Sequence, residues 1–246
     1  MIGQNKITYL NSLLNKKFRK EYGVFRAEGN KIALELLNST LIVNEVYASE
    51  KWLKENEKFI KKTEVYSVSE SVLKKLSILQ SPSEVLIVAK IPDYQFDINE
   101  ISSNYCLCYD FLQDPGNLGT IIRTADWFGI RNIICSKGSV DAFSPKVVQA
   151  SMGSIAAVKI FYEDLEIVLK DCKNPIYGTF MEGESLKSTK IKKNAIIVFG
   201  NEGKGISKEI SGIITNKINI KGASDSIAES LNVAISSGII CSSLNS

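Results

Sequence analysis

The sequence predicts an α/β protein made of two units in tandem, and three observations predict it. Short β-rich apolar runs alternate with helical patterns from residue 7 to residue 90, the rhythm breaks over 91–104, and the same rhythm then restarts. In the first unit, Ile7, Leu10, Leu13 and Leu14 recur at helical spacing, 24–27 is short and strand-like, and 31–37 is helical. LIVNEVYAS (41–49) reads as strand, 52–59 as helix, TEVYSVS (63–69) as strand, 71–76 as helix and EVLIVAK (84–90) as strand. IPDYQFDINEISSN (91–104) carries Pro92 and few helix formers, which marks a connection. We place the units at 1–95 and 105–246, with a linker at 96–104. The second unit reads strand YCLCYDF, helix 118–128, strand RNIICS and helix 144–149. Strands follow around 156–160, 176–180, 196–199 and 218–220, and a long final helix starts near Glu229. In such a doubly wound pattern ligands gather at the carboxyl ends of the strands.

Composition narrows the chemistry. The 246 residues are 44% hydrophobic and 23% charged, as in an ordinary globular protein, and the net charge of +3 permits nucleic-acid binding without demanding it. No apolar run has the length of a membrane span, and MIGQNKITYL lacks the apolar stretch of a signal peptide, so the expected compartment is cytoplasmic, with no membrane partner. Five cysteines form no C-x-x-C pair; Cys106 and Cys108 share one strand face and are expected as small buried hydrophobes, with no metal. There is no histidine at all. That excludes Ser-His-Asp and Cys-His nucleophile systems and H-E-x-x-H zinc sites. Chemistry must come from other groups or from a cofactor.

Three loops after predicted strands hold the candidate residues. In DPGNLGTIIRTADWFG (114–129), Pro115 and Gly116 make a turn, Asn117 can cap the helix, and Arg123 sets a permanent cation among Ile121, Ile122 and Ala125. Alone, that arginine also reads as a structural one. FGNEGKG (199–205) resembles a phosphate cradle, but Glu202 would repel phosphate, and neither Walker nor G-x-G-x-x-G spacing is met. In IKGASDSIAESLNVAISSG (220–238), Ser230 and Asn232 stand at a helix start, followed by the small residues Ala234, Ser236, Ser237 and Gly238, which allow close packing.

In this order the loops are specific. N117-x-G119-x-x-x-R123, F199-G200-N201-E202-G203-K204-G205 and E229-S230-L231-N232-V233 resemble the three motifs of the SpoU (TrmH-type) RNA 2′-O-methyltransferases. FRKEYGVFRAEGNKIALELL (18–37) is similar to the opening of that family's ribosomal-protein-like substrate-binding domain. The family often has proline where this chain has Asn219. The resemblance implies a deep trefoil knot in the C-terminal unit, which chain-topology rules would never propose. It also implies S-adenosylmethionine as cofactor, a homodimer through the C-terminal domain, and transfer of a methyl group to a ribose 2′-hydroxyl. Large-subunit (23S) rRNA is the expected substrate; tRNA, or a non-catalytic RNA-binding role in ribosome assembly, stays open.

The resemblance further implies that Arg123 grips the target and stabilises the developing alkoxide, with Asn117, Glu202, Ser230 and Asn232 orienting the groups around it. Thr179, Phe199, Gly200, Asn201, Gly203, Ile220, Ser230 and Leu231 would hold the cofactor, whose sulfonium tolerates the carboxylate that a phosphate would not. Lys16, Lys17, Arg19, Lys20 and Arg26 are the candidate RNA phosphate contacts, or else a solvated helix face.

Overall fold

The computed structural model describes residues 2–60, 63–101 and 104–244, so residues 102–103 of the expected linker lie outside the described residues. In chain order the first elements are α1 (Gln4–Ser12), α2 (Lys16–Tyr22), β1 (Val24–Glu28), α3 (Asn30–Leu37), β2 (Val43–Ala48), α4 (Glu50–Glu55), β3 (Glu64–Ser67), α5 (Glu70–Leu76) and β4 (Val85–Lys90). Next come α6 (Ile98–Ile101), β5 (Cys106–Tyr109), α7 (Pro115–Trp127), β6 (Asn132–Ser136), α8 (Pro145–Ser151) and β7 (Lys159–Glu163). The last are α9 (Leu165–Asp171), β8 (Ile176–Ser185), β9 (Ile196–Phe199), α10 (Lys208–Ser211), β10 (Asn216–Asn219) and α11 (Val233–Leu244).

The chain divides into two compact units, Met1–Asp93 with Asp141–Ala157, and Tyr94–Val140 with Val158–Ser246. The first carries a mixed sheet in the order β1-β4-β2-β3. Its opening helical pattern is broken in two, because the Asn15 side chain caps α2 by accepting from the Lys17 amide at 2.9 Å. Gly23, at φ 65, then ends α2 in the left-handed conformation. Asp141–Ala157 was expected in the second unit. It belongs with the first because Phe143 packs on Phe25 with ring centroids 4.9 Å apart and Asp141 pairs with Arg19 at 2.7 Å.

Two expected phosphate contacts are structural instead. Arg19 is 3% exposed; its guanidinium donates to the carbonyls of Leu13 (2.8 Å) and Leu14 (2.9 Å) and to the Asp141 carboxylate. Arg26 is 2% exposed, donates to the carbonyls of Leu10 (3.3 Å) and Leu76, and lies 4.0 Å from the Glu28 carboxylate. Burial draws the Arg26 pKa down, and the charge of Glu28 partly offsets this. Glu28 in turn accepts from the Ser77 hydroxyl (2.7 Å) and the Ile78 amide (2.9 Å), so the pair pins the end of α5 to β1. Arg26→Ala would strand a buried carboxylate and two carbonyls, and is expected to cost about 3–5 kcal/mol of stability. Lys16→Ala, on the exposed face of α2, should stay within about 0.5 kcal/mol. Urea unfolding measures both; equal midpoint shifts would contradict the buried role.

The second unit is a six-stranded, wholly parallel sheet in the order β10-β8-β9-β5-β6-β7. Its central strands are near-continuous apolar runs because both faces are covered. Cys106 and Cys108 lie together in the core with Ile134, Ile196 and Val198. Burial pushes both thiols well above their ordinary range and that of Cys135 up to about 12. The strand expected at 156–160 begins at Lys159, since Ser154–Ala156 form a 3₁₀ turn after Gly153. The final helix starts at Val233, four residues later than expected near Glu229. The β8–β10 pairing has the feature that shapes the site. Lys217 pairs with Gly178 but Ile218 pairs with Glu184, so 179–183 swing out of register. The Asn219 amide spans this excursion, donating to the carbonyls of Phe180 (3.0 Å) and Met181. Among the described residues no helix is long and apolar enough to cross a membrane.

Candidate active site

At the carboxyl ends of β8, β9 and β10 lies a cleft of about 940 Å³. The β8 excursion supplies Thr179, Phe180 and Met181; the turn after β9 supplies Phe199 to Glu202; the segment after β10 supplies Ile220, Ser230 and Leu231. Every expected cofactor residue except Gly203 lines it.

The glycine-rich turn closes on itself. The Asn201 amide donates to the Gly205 carbonyl (3.0 Å) and the Gly205 amide returns to the Asn201 carbonyl (2.9 Å). The Asn201 side-chain oxygen takes the amides of Gly203 (3.0 Å) and Lys204 (3.1 Å). Four amides that could have cradled an anion are therefore engaged within the turn. Gly203 stands outside the cleft, its amide turned to the Asn201 side chain. Beneath the turn, buried Asp110 accepts from the Ser207 amide at 2.8 Å.

Asn117, Glu202 and Asn232, from three distant stretches of sequence, form one hydrogen-bonded chain. The Asn232 side-chain oxygen accepts from the amides of Ala234 (2.8 Å) and Ile235 (3.4 Å), capping α11, so its NH₂ points away from the helix. That NH₂ donates to Asn117 Oδ1 at 3.0 Å, and Asn117 Nδ2 donates to Glu202 Oε1 at 2.9 Å. Each amide orientation is dictated by the one before it, and Glu202 terminates the chain as an acceptor at the cleft wall. Asn117 is free for this because it does not cap α7: Asp114 does, accepting from the Asn117 amide at 2.7 Å, and the helix starts at Pro115.

Arg123 is not brought to this group. It lies six residues beyond Asn117 on α7, roughly 9 Å along the axis and on another face. It is exposed, and its guanidinium has no hydrogen bond or ion pair among the described residues. Ser230 and Leu231 line the cleft in the exposed stretch 221–232. The small residues of α11 do not form a free face. Ala234 and Ser237 are buried, Ser237 shares a 2.9 Å hydrogen bond with buried Tyr109, and Gly238 faces Thr124 of α7.

Sequence reasoning missed several lining residues, among them Phe180, Met181, Lys221, Ser226 and Glu229. Gly178 and Gly183 were the available signal for the excursion: a Cβ on Gly178 would stand 2.5 Å from Ile214, and one on Gly183 would stand 2.8 Å from the Lys217 backbone. Among the described residues no group of three or more His, Cys, Asp or Glu side chains could hold a metal ion.

Residues 4–87 match the MRM3-like substrate binding domain. Among curated relatives, the 23S rRNA (guanosine(2553)-2′-O)-methyltransferase RlmP of Bacillus subtilis is 26% identical over 239 residues, covering 96% of this chain and 94% of the relative. A TrmH-family structure from Porphyromonas gingivalis superposes with a TM-score of 0.89 at 36% identity, covering 99% of this chain and 98% of that one. An AdoMet-bound rRNA methyltransferase from Sinorhizobium meliloti superposes with a TM-score of 0.88 at 25% identity, covering 100% and 95%. Residues 104–242, which contain the cleft and the Asn232–Asn117–Glu202 chain, match the SpoU rRNA Methylase family, and the protein belongs to that family.

Proposed function

We propose that the protein is an S-adenosylmethionine-dependent methyltransferase acting on a ribose 2′-hydroxyl of large-subunit rRNA. The observation that carries this reading is the cleft at the strand ends, joined to Asn117 and Asn232 through Glu202. Its chemistry fits the cofactor. Apolar Phe199, Ile218, Ile220 and Leu231 suit an adenosine, while Glu202, Glu229, Lys204 and Lys221 suit a cation and a zwitterionic tail. The engaged amides of the glycine-rich turn suit a cofactor without phosphate. Titration calorimetry tests this directly: S-adenosylmethionine should bind and NAD should not, and the reverse would overturn the reading.

When bound, S-adenosylmethionine supplies a methyl group on a sulfonium. The rest is alignment by this chain. Asn117, oriented by the hydrogen bond it accepts from Asn232, holds Glu202 in one orientation at the cleft wall. Arg123 offers a guanidinium with five N–H donors to the phosphate and oxygen of the target ribose, stabilising negative charge as the hydroxyl proton leaves.

The exposure of Arg123 supports a further part of the proposal, that it serves the site of a second subunit. α11 carries no charged residue, and Ile235 (54%) and Ile239 (39%), one turn apart, are exposed on it. We assign that face to a homodimer. Light scattering should find a dimer, and Ile239→Lys should make it a monomer; a wild-type monomer would contradict the assignment. The exposed lysines Lys16, Lys17 and Lys20 on α2 remain candidate phosphate contacts. The family's trefoil knot and a cytoplasmic location belong to the same proposal, the knot supported by the parallel order β10-β8-β9-β5.

A further inference from the structure

Phe111 lies two residues past the end of the central strand β5, and its φ of 54 puts a bulky side chain in the left-handed region. Among the described residues Met152 is the other non-glycine residue with positive φ, and it merely ends α8. Phe111 is held in this conformation from both sides. Its amide donates to Ser136 Oγ at 2.8 Å, and its carbonyl accepts from Asn201 Nδ2 at 2.8 Å. Both grips use backbone atoms of Phe111, so glycine would satisfy them with less strain. The residue is 49% exposed. It leans on the turn after β6, where a Cβ on Gly138 would stand 3.5 Å from ring atom Cε1. Gln113 closes over the same turn, donating to the Gly138 carbonyl at 3.1 Å. The result is an aromatic ring fixed in direction and open to solvent. Through Asn201 it is coupled to the loop that carries Glu202. Exposed Lys137 stands in the turn after β6 that Phe111 touches, available to phosphates.

We propose that Phe111 is a stacking platform for an unpaired base of the substrate RNA, either the target nucleotide or its immediate neighbour. This deepens the RNA-methyltransferase reading and rests on it. A paired base is already stacked within its helix, so the platform implies a target in a loop, bulge or single strand. Every base has a π-face, so Phe111 would set position rather than base identity. Strain held by a double grip beside a reaction site fits such a role.

The test uses the full-length chain with large-subunit RNA fragments. Phe111→Gly should raise the RNA KM by roughly tenfold or more. Its affinity for S-adenosylmethionine should stay unchanged and its melting temperature should be equal to or above that of the wild type. Phe111→Tyr should keep the wild-type KM. A wild-type KM in the glycine variant, or an equal loss in the tyrosine variant, would overturn the platform. RNA binding by fluorescence anisotropy separates the two levels. If the wild type transferred no methyl group while Phe111→Gly still weakened RNA binding about tenfold, the enzyme reading would fall and the platform would stand.

Discussion

Gly200→Val should abolish cofactor binding, lowering affinity for S-adenosylmethionine at least a hundredfold, roughly 2.8 kcal/mol or more. The cause is within the protein. A Cβ at Gly200 would stand 2.2 Å from both the Gly205 carbonyl carbon and the Ile206 nitrogen, backbone atoms that cannot turn aside as a flexible side chain does. The reciprocal Asn201–Gly205 hydrogen bonds would break, releasing Glu202 from its place beside Asn117. Gly203→Ala is the matched control. A Cβ there meets only the Asn201 side-chain oxygen at 3.7 Å, so affinity should stay within about twofold, the neutral range of an exposed substitution. Calorimetry reads both variants. Wild-type affinity in Gly200→Val would remove the turn from the site, and an equal loss in Gly203→Ala would contradict the backbone clash as its cause.

Arg123→Ala should lower kcat by about 10²–10³ while leaving cofactor affinity unchanged. Arg123 does not line the cleft, so its loss should not disturb what the cleft holds. Arg123→Lys should recover little, because an ammonium cannot reproduce a planar, bidentate grip. Asn232→Ala should also be inactive, since it removes the cap of α11 and the donor that orients Asn117. If Arg123 reaches the partner's cleft, a mixture of the two inactive variants after subunit exchange should regain activity at one composite site per heterodimer. No recovery, with exchange verified, would assign Arg123 to its own subunit.

The sequence made the alternation of elements legible because buried parallel strands are continuous apolar runs, and IIVF (196–199) needs no tertiary information to be read as one. The three loops were legible as ordered motifs, and the cleft brings Asn117, Glu202 and Asn232 to hydrogen-bonding distance. What escaped reading depends on distant partners. Arg19 stands in a basic run that looks solvated, yet its carboxylate lies 122 residues away at Asp141. Arg26 looks like one more cation near that run, but β1 is covered on both faces and holds it inside. Asn117 has the residue type of a cap, and only the geometry shows Asp114 taking that role. The β8 excursion follows from how β10 pairs, which no local pattern of 176–185 contains. Arg123 was expected among the other motif residues, but helical geometry carries it past them.

Methyl transfer to RNA is the direct readout of ribose methylation. Purified protein, S-adenosylmethionine with a tritiated methyl group, and ribosomal RNA from a strain lacking the protein are incubated together, and the RNA is digested to nucleosides. Ribose methylation of the large subunit predicts label in a single 2′-O-methylnucleoside from the large-subunit RNA, absent with Arg123→Ala. Label on a base, label only in tRNA, or no label despite bound cofactor would contradict it.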